Sequence, residues 1–169
     1  MGYNTDVAGV IHAVSALDLD PTTPVLVLGA GGAARAATVA LARGRRRVTV
    51  SARRDRRAID LLRTTASRAD VVPWGTPVPE VIVVNATPIG MHGEELPPGV
   101  IDVAAGLVDM AYGPTTTPAV RLARRAGLPT SDGISMLVGQ AAEAFSIFVG
   151  VPAPLDVMIA AARGSVADG

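Results

Sequence analysis

The sequence predicts an α/β fold in which helices cover both faces of a doubly wound, largely parallel sheet of about six strands. Two observations support this prediction. Short apolar runs, such as 25–28 and 81–84, alternate along the chain with longer segments of helical periodicity. The first run also leads directly into a glycine turn and an alanine-rich segment. Strands that alternate with helices are joined as parallel βαβ units, so we expect the Rossmann-like strand order 3-2-1-4-5-6.

The composition indicates one domain with a small-molecule partner. The 169 residues are 49% hydrophobic, which is enough for a full core, and their formal net charge is zero. The scattered basic residues indicate neither nucleic-acid binding nor attachment to a membrane surface. No apolar run reaches the roughly 18 to 20 residues of a membrane span, and the N-terminus lacks a signal-peptide pattern. We therefore expect a single domain over 1–169, located in the cytoplasm.

Two residue types are absent from the sequence. The chain has no cysteine, which excludes disulfides, thiolate metal sites and cysteine nucleophiles. All fifteen basic residues are arginine, so a reaction that needs a lysine must obtain it from elsewhere. The two histidines, His12 and His92, stand in unrelated contexts without metal-ligand spacing, so we expect no metal site.

The segment 25–36, VLVLGAGGAARA, predicts a buried strand, a phosphate-binding turn and a helix. In its G-x-G-x-x-A spacing, Gly29 would make the tight turn, Gly31 would admit a pyrophosphate and Ala34 would let the helix lie close to the strand. The helix N-terminus would offer free N–H groups to the phosphates. Glycine turns also close ordinary strand–helix loops, but the flanking strand and helix favour cofactor binding here.

Arginines follow the second predicted strand, 48–51. NAD-specific folds carry an acidic residue at this place, whereas this chain has Ala52, Arg53 and Arg54. The first acid, Asp55, stands among four arginines, and such an excess of positive charge suits a 2′-phosphate dianion. NADP is therefore preferred over NAD as the cofactor. The alternative is that these arginines are the solvated start of a helix.

The other helices and strands are predicted from hydrophobic periodicity and from the positions of proline and glycine. Predicted helices start after capping residues or prolines, and several stop at glycines, while predicted strands are short β-branched runs. The predicted helices are about 6–19, 32–42, 118–125, 132–149 and 155–162, with a short one near 98–103, and the predicted strands are 25–28, 48–51, 70–74, 81–84, 107–110 and an extended piece at 128–131.

For each of four polar residues, the sequence allows both a structural and a functional role. Asp6 is more simply a first-turn carboxylate that complements the helix dipole, although a functional role stays open. Asn85 and Thr87 follow a strand at the edge where α/β sheets bind ligands, but both residue types also form turns. Gln140 lies within a largely apolar helix, so its amide either bonds to neighbouring backbone or is presented to a ligand.

Five motifs occur in order along the chain: GYNTD at 2–6, the glycine turn at 25–36, NATPIGM at 85–91, DMAYGPTTTP at 109–118 and DGISMLVGQAAEAF at 132–145. Together they closely resemble the C-terminal NADP-binding domain of shikimate dehydrogenase, over nearly the whole chain. The resemblance implies NADP-dependent interconversion of shikimate and 3-dehydroshikimate. In that reaction the cofactor carries the hydride, while the protein positions the reactants and manages the proton.

The resemblance also implies roles for individual residues. Asp6 matches an aspartate that pairs with a catalytic lysine at the substrate, and Tyr112 and Gln140 match substrate-contacting positions. The implied cofactor-binding residues are Gly29, Ala30, Gly31, Gly32 and Ala33 in the pyrophosphate loop, Ala52, Arg53 and Arg54 at the adenosine and its 2′-phosphate, Asn85, Ala86 and Thr87 along the cleft, and Gly133 and Met136 beside the nicotinamide.

The chain departs from the family pattern in two places. Ala52 and Arg54 replace the usual Asn and Thr, so adenosine contacts there must differ, whereas Arg53 keeps the principal charge. The family also places a substrate-binding domain, with the catalytic lysine and the serines that hold the substrate carboxylate, before the NTD motif, and here Met1 directly precedes GYNTD. We therefore expect a truncated chain or a fragment that meets its other half in trans.

Two further expectations follow from the missing domain. The chain alone should be inactive, and the apolar helices left uncovered should favour a homo-oligomer. The alternatives to a shikimate dehydrogenase are a catalytically silent nucleotide-binding module and a quinate/shikimate dehydrogenase that uses NAD. An acid in place of Arg53 would have favoured NAD.

Overall fold

The computed structural model describes residues 5–44, 46–65, 69–113 and 115–167. These ranges contain six helices and six strands. The helices are α1 (Asp6–Ser15), α2 (Gly32–Arg43), α3 (Asp55–Thr65), α4 (Pro118–Arg125), α5 (Gly133–Val149) and α6 (Leu155–Ala167), and the strands are β1 (Val25–Leu28), β2 (Val48–Ser51), β3 (Ala69–Val72), β4 (Ile82–Asn85), β5 (Gly106–Asp109) and β6 (Thr130–Ser131). Helices and strands alternate from α1 to β3, while β3, β4 and β5 follow one another without a helix between them.

All six strands lie parallel in one sheet of order β3-β2-β1-β4-β5-β6, which confirms the predicted Rossmann-like order. The chain crosses from one half of the sheet to the other between β1 and β4. At this switch point Leu28, the last residue of β1, pairs with Ser51 on one side and Asn85 on the other. The residues that follow these three strand ends therefore meet around one crevice.

Both faces of the sheet are covered, which explains why its central strands are continuous apolar runs. Val25 and Val27 belong to a core shared with α1, α2, α3 and α5, whereas Leu26 and Leu28 belong to a second core against α4 and residues 96–101. All four side chains are fully buried. The alternation along β1 thus distributes its side chains between two packed layers.

Several predicted boundaries differ from the observed ones. Helix α1 ends at Ser15 instead of Leu19, because the chain turns there and Asp18 adopts a left-handed conformation with φ of +52°. Residues 98–103 form successive turns instead of a short helix, and they still bury Val100 and Ile101 in the second core. Helix α6 is longer than predicted and extends to Ala167.

The helices lack membrane-spanning character. Within 5–44, 46–65, 69–113 and 115–167, none combines the length and the apolar character that a bilayer crossing requires.

Candidate functional site

An open cleft lies at the carboxyl ends of β1, β2 and β4. Its volume is about 520 Å³, which falls within the roughly 300 to 1,000 Å³ of ordinary small-molecule sites. It is lined by Gly29, Ala30, Gly31, Ala52, Arg53, Arg54, Arg57, Trp74, Ala86, Thr87 and Pro88. Eight of the predicted cofactor-binding residues are therefore brought together at the switch point of the sheet.

Gly29 fixes the turn between β1 and the cleft. Its φ is +114°, which side chains with a Cβ rarely adopt, and a Cβ there would lie 2.8 Å from the carbonyl oxygen of Ala86. Its N–H donates to the carbonyl of Ser51 at 2.8 Å, so the turn is tied to the end of β2. Glycine is thus required for both its conformation and the close approach of the neighbouring loop.

The N-terminus of α2 is open toward solvent. Gly31 is its capping residue, and among the described residues no side chain accepts a hydrogen bond from the N–H groups of the first turn. A Cβ on Gly31 or Gly32 would meet no atom within 4 Å. Gly32 and Ala33 form the first turn of the helix, and Ala34 is fully buried beneath it. The first turn therefore keeps free N–H donors with space in front of them.

Three exposed arginines supply positive charge at one end of the cleft. Arg53 and Arg54 follow β2, and Arg57 lies in the first turn of α3, where its N–H donates to the carbonyl of Arg54 at 2.9 Å. In the part of the chain that the structure describes, none of the three lies within ion-pair distance of a carboxylate. Their charge is thus left to attract an anion.

Three cleft residues were not among the predicted site residues: Arg57, Trp74 and Pro88. Arg57 was predictable, since it belongs to the arginine cluster around Asp55 and lies in the first turn of α3. Trp74 has no spacing signal. It is held in the loop after β3 because the Ser51 hydroxyl donates to the Pro73 carbonyl at 3.1 Å and accepts from the Gly75 N–H at 3.0 Å.

The side chain of Asn85 holds the loop after β4 through hydrogen bonds to residues of that loop. Its side-chain oxygen accepts from the Thr87 N–H at 3.1 Å and the Thr87 hydroxyl at 2.6 Å, and its amide nitrogen donates to the Ile89 carbonyl at 3.0 Å. Asn85 is fully buried and is not among the residues that line the cleft, whereas Thr87 is. Of the two interpretations of Asn85, the geometry favours the turn former, and Thr87 both takes part in this turn and lines the cleft.

Asp109 is a fully buried carboxylate at the end of β5. One oxygen accepts from the Asn85 amide at 2.8 Å and from the Ala111 N–H at 3.1 Å, and the other accepts from the Thr117 hydroxyl at 2.5 Å. Burial raises the pKa of this carboxyl, the three hydrogen bonds lower it, and the nearby charge of Asp132 raises it further. The net direction is upward.

Asp6 and Gln140 are neighbours across the contact between α1 and α5. The Gln140 amide nitrogen donates to an Asp6 carboxylate oxygen at 2.5 Å. This contact needs Gly9, because a Cβ there would lie 2.6 Å from the Gln140 Cγ and 2.8 Å from the Met136 carbonyl oxygen. The Gln140 amide therefore bonds to a side chain on another helix, which neither interpretation from the sequence had included.

The other predicted site residues lie along α5 and in the loop after β5. Gly133 packs against the loop after β5, since a Cβ there would lie 2.9 Å from both the Ala111 carbonyl oxygen and the Tyr112 Cβ. Met136 is buried, and Tyr112 is 54% exposed. Gly133, Met136 and Gln140 follow each other at helical spacing, so they form one face of α5 that leads from Tyr112 toward Asp6. Residues 2–4 of the GYNTD motif and Pro114 lie outside the described residues.

The fold and the cleft define the class of this molecule: a Rossmann-like α/β domain with a ligand cleft at its topological switch point. The family model described as "Shikimate 5'-dehydrogenase C-terminal domain" matches residues 133–163. The chain therefore corresponds to a shikimate dehydrogenase C-terminal domain.

Three known proteins illustrate this relationship. The "Shikimate dehydrogenase (NADP(+))" of Methanocella arvoryzae is 40% identical over 177 residues, covering 97% of this chain and 65% of the relative. That of Sphingopyxis alaskensis is 41% identical over 161 residues, covering 91% of this chain and 58% of the relative. The shikimate 5-dehydrogenase of Thermus thermophilus, solved in complex with NADP(H) and shikimate, superposes with a TM-score of 0.83 at 34% identity, covering 96% of this chain and 62% of that one.

The chain therefore spans less than two thirds of the length of the curated relatives that it matches.

Proposed function

We propose that the chain is the NADP-binding domain of a shikimate dehydrogenase, and that the whole enzyme interconverts 3-dehydroshikimate and shikimate. The observation that carries this proposal is the cleft itself. Among the described residues, its three arginines have no carboxylate partner, and an uncapped helix N-terminus lies beside them. The relatives of the chain are named as NADP(+)-dependent shikimate dehydrogenases, which supports the same assignment.

The cleft fits a phosphorylated dinucleotide at two places. The turn from Gly29 to Ala33 would hold the pyrophosphate, because Gly31 and Gly32 leave space in front of the free N–H groups of α2. Arg53, Arg54 and Arg57 would hold the 2′-phosphate, because guanidinium groups match phosphate oxygens in charge and geometry. Ala52 offers no side-chain hydrogen bond to the adenosine, so the arginines supply the charged recognition.

The bound cofactor would supply the hydride, and the residues of this chain would place and orient the substrate. We assign Asp6 to the reacting oxygen of the substrate, with Gln140 holding its carboxylate in one orientation. Tyr112, Gly133 and Met136 would form the wall between this pair and the nicotinamide. The proton at the reacting oxygen needs a partner that exchanges it near neutral pH, and arginine does not. The resemblance to shikimate dehydrogenases implies that this partner is a lysine, and because the sequence contains none, we assign it to the part of the enzyme that the chain does not match.

Calorimetric titration of the purified chain with NADPH and NADH tests the cofactor assignment. We expect NADPH to bind about ten- to a hundredfold more tightly, as a charge-assisted contact to one additional phosphate contributes on the order of 1.5 to 3 kcal/mol. Equal affinities for the two cofactors would overturn the assignment of the arginines.

One observation favours a second candidate, a nucleotide-binding module without catalysis. The 169 residues include no lysine, so the chain does not itself contain the proton donor of the proposed reaction. The two candidates differ in one measurable property. A cofactor-binding domain of a dehydrogenase should gain shikimate oxidation when the substrate domain of a relative is added, whereas a silent module should bind NADPH and stay inactive.

A further inference from the structure

We propose that Asp109 is a positioning residue that holds the loops after β4 and β5 in register, so that the nicotinamide half of the dinucleotide is bound in one orientation. The proposal rests on the function proposed above. It concerns a fully buried residue that is not among those lining the cleft.

The first argument is connectivity. Asp109 accepts from Asn85 on β4, from the Ala111 N–H and from the Thr117 hydroxyl. Asn85 in turn holds both the N–H and the hydroxyl of Thr87, which lines the cleft. One carboxylate therefore joins the loop 85–89, which contributes Thr87 to the cleft, to Ala111 and Thr117. These two residues lie on either side of Tyr112, which the proposed function places beside the nicotinamide.

The second argument is that the buried charge lacks a cationic partner within the described ranges. Asp109 is fully buried, and no arginine of the described residues lies within ion-pair distance of it. A buried carboxylate in this state stabilises a fold poorly compared with an apolar side chain. Its two oxygens, however, accept from three donors on two loops at once, which is a geometry that no apolar residue can provide.

The third argument is that the two halves of the sheet serve different nucleotides of the cofactor. In a fold built from two mononucleotide-binding halves, the strands before the switch point serve one nucleotide and the strands after it serve the other. The arginines follow β2, in the first half. Asp109 and its partners lie in the second half, at the ends of β4 and β5, just after β5 and at the N-cap of α4. Loss of Asp109 should therefore affect the two ends of the cofactor unequally.

The test compares a whole cofactor with its adenosine end. NADPH and adenosine 2′,5′-bisphosphate are each titrated calorimetrically into the chain and its variants. For Asp109→Ala we expect about tenfold weaker binding of NADPH, while the bisphosphate binds within about twofold of the parent chain. Asp109→Asn should restore NADPH binding to within about threefold, because its oxygen still accepts from Asn85 and Ala111 and its amide can donate to Thr117.

Two controls separate positioning from general stability. Leu107→Ala removes a fully buried side chain two residues earlier on β5, so it should lower stability without altering the ratio of the two affinities. If Asp109→Ala does not fold, Thr117→Val removes one of the three donors and should weaken NADPH alone, whereas Thr117→Ser keeps the hydroxyl and should not.

Equal weakening of both ligands by Asp109→Ala, or no weakening of either, would overturn the inference while leaving the proposed function intact. Equal NADPH affinities of Thr117→Val and Thr117→Ser would also overturn the inference and leave the proposed function intact. A parent chain that binds neither ligand would overturn the proposed function, and this inference with it.

Discussion

Gly9 and Gly139 face each other where α1 crosses α5, and a Cβ on Gly139 would lie 3.1 Å from the Gly9 Cα and 2.7 Å from the His12 Cβ. The two helices can approach this closely only because neither residue carries a side chain. The same approach brings Asp6 within hydrogen-bond distance of Gln140. The placement of the proposed catalytic carboxylate thus depends on two residues that have no chemistry of their own.

The first prediction follows from this contact. Gly139→Ala should reduce the free energy of unfolding by about 1 to 3 kcal/mol, since the added methyl group overpacks a close helix contact. Urea unfolding followed by circular dichroism measures the change. Gly164→Ala is the matched control, because it also replaces a helical glycine and its Cβ would meet no atom within 4 Å. That control should be neutral or slightly stabilising, and equal losses in both variants would contradict the packing argument.

The second prediction concerns the arginines of the cleft. Arg53→Ala should remove most of the difference in affinity between NADPH and NADH, because the proposed contact is made only to the 2′-phosphate. Arg63→Ala is the matched control, since Arg63 is an exposed arginine of α3 that does not line the cleft. That variant should still bind NADPH more tightly than NADH. A preference that persists in Arg53→Ala would move the phosphate site to Arg54 and Arg57.

The third prediction is a pH dependence that originates at Asp109. Its folded pKa is raised above the ordinary value of 3.8, so the native state binds more protons than the unfolded state at pH values between the two. The stability of the chain should therefore fall as the pH rises from 3.8 through the raised pKa. Asp109→Asn should abolish this part of the pH dependence, as measured by urea unfolding across the window.

Glu94 provides a control of opposite sign for that measurement. The backbone N–H groups of Glu94, His92 and Gly90 lower the pKa of this exposed carboxyl below 4.5. The contribution of Glu94 to the stability of the chain should be present above pH 4.5 and be lost as the pH falls through the lowered pKa. Glu94→Gln should therefore leave the decline attributed to Asp109 unchanged. A flat profile in the parent chain across the Asp109 window would contradict the assignment.

The fourth prediction is that the chain, assayed by itself, binds NADP without oxidising shikimate. Asp6 works against a lysine in the proposed arrangement, and the sequence contains none. NADPH formation should stay at background with the chain alone and appear when the substrate domain of a relative is added. In that mixture Asp6→Ala should abolish turnover. Robust turnover by the chain alone would contradict the assignment of the proton donor to another part of the enzyme.

The fifth prediction is self-association through exposed apolar side chains. Phe148 is 88% exposed near the end of α5, Val157 is 66% exposed on α6, and Ile11 is 50% exposed on α1. Sedimentation velocity should show a rising average mass with concentration, and Phe148→Ser should reduce it. Ile59→Ser, on the distant helix α3 with 43% exposure, should not. A parent chain that stays monomeric at high concentration would contradict this prediction.

The sequence was a good guide where the pattern is local. The strand, glycine turn and helix at 25–36 depend on residues that are adjacent in the chain, and the strand order follows from the alternation of such units. The end of α1 was missed because it depends on Asp18 adopting a left-handed conformation, which has a weak sequence signal.

The candidate site was less predictable because its contacts join distant segments. Asn85 meets Asp109 across 24 positions, and Gln140 meets Asp6 across 134 positions. Neither pair has a spacing rule, since each depends on the order of strands or the crossing of helices. Trp74 enters the cleft only because Ser51 anchors both of its neighbours from another strand.

That anchoring of Trp74 gives the protein an internal optical probe. Trp74 is the single tryptophan of the sequence, and it lines the cleft between two residues tied to Ser51. Indole emission overlaps the absorption band of reduced nicotinamide cofactors, so NADPH bound in the cleft should accept energy from Trp74 and quench its fluorescence. Because no other tryptophan contributes background, the same signal can follow cofactor arrival in stopped-flow experiments without any label.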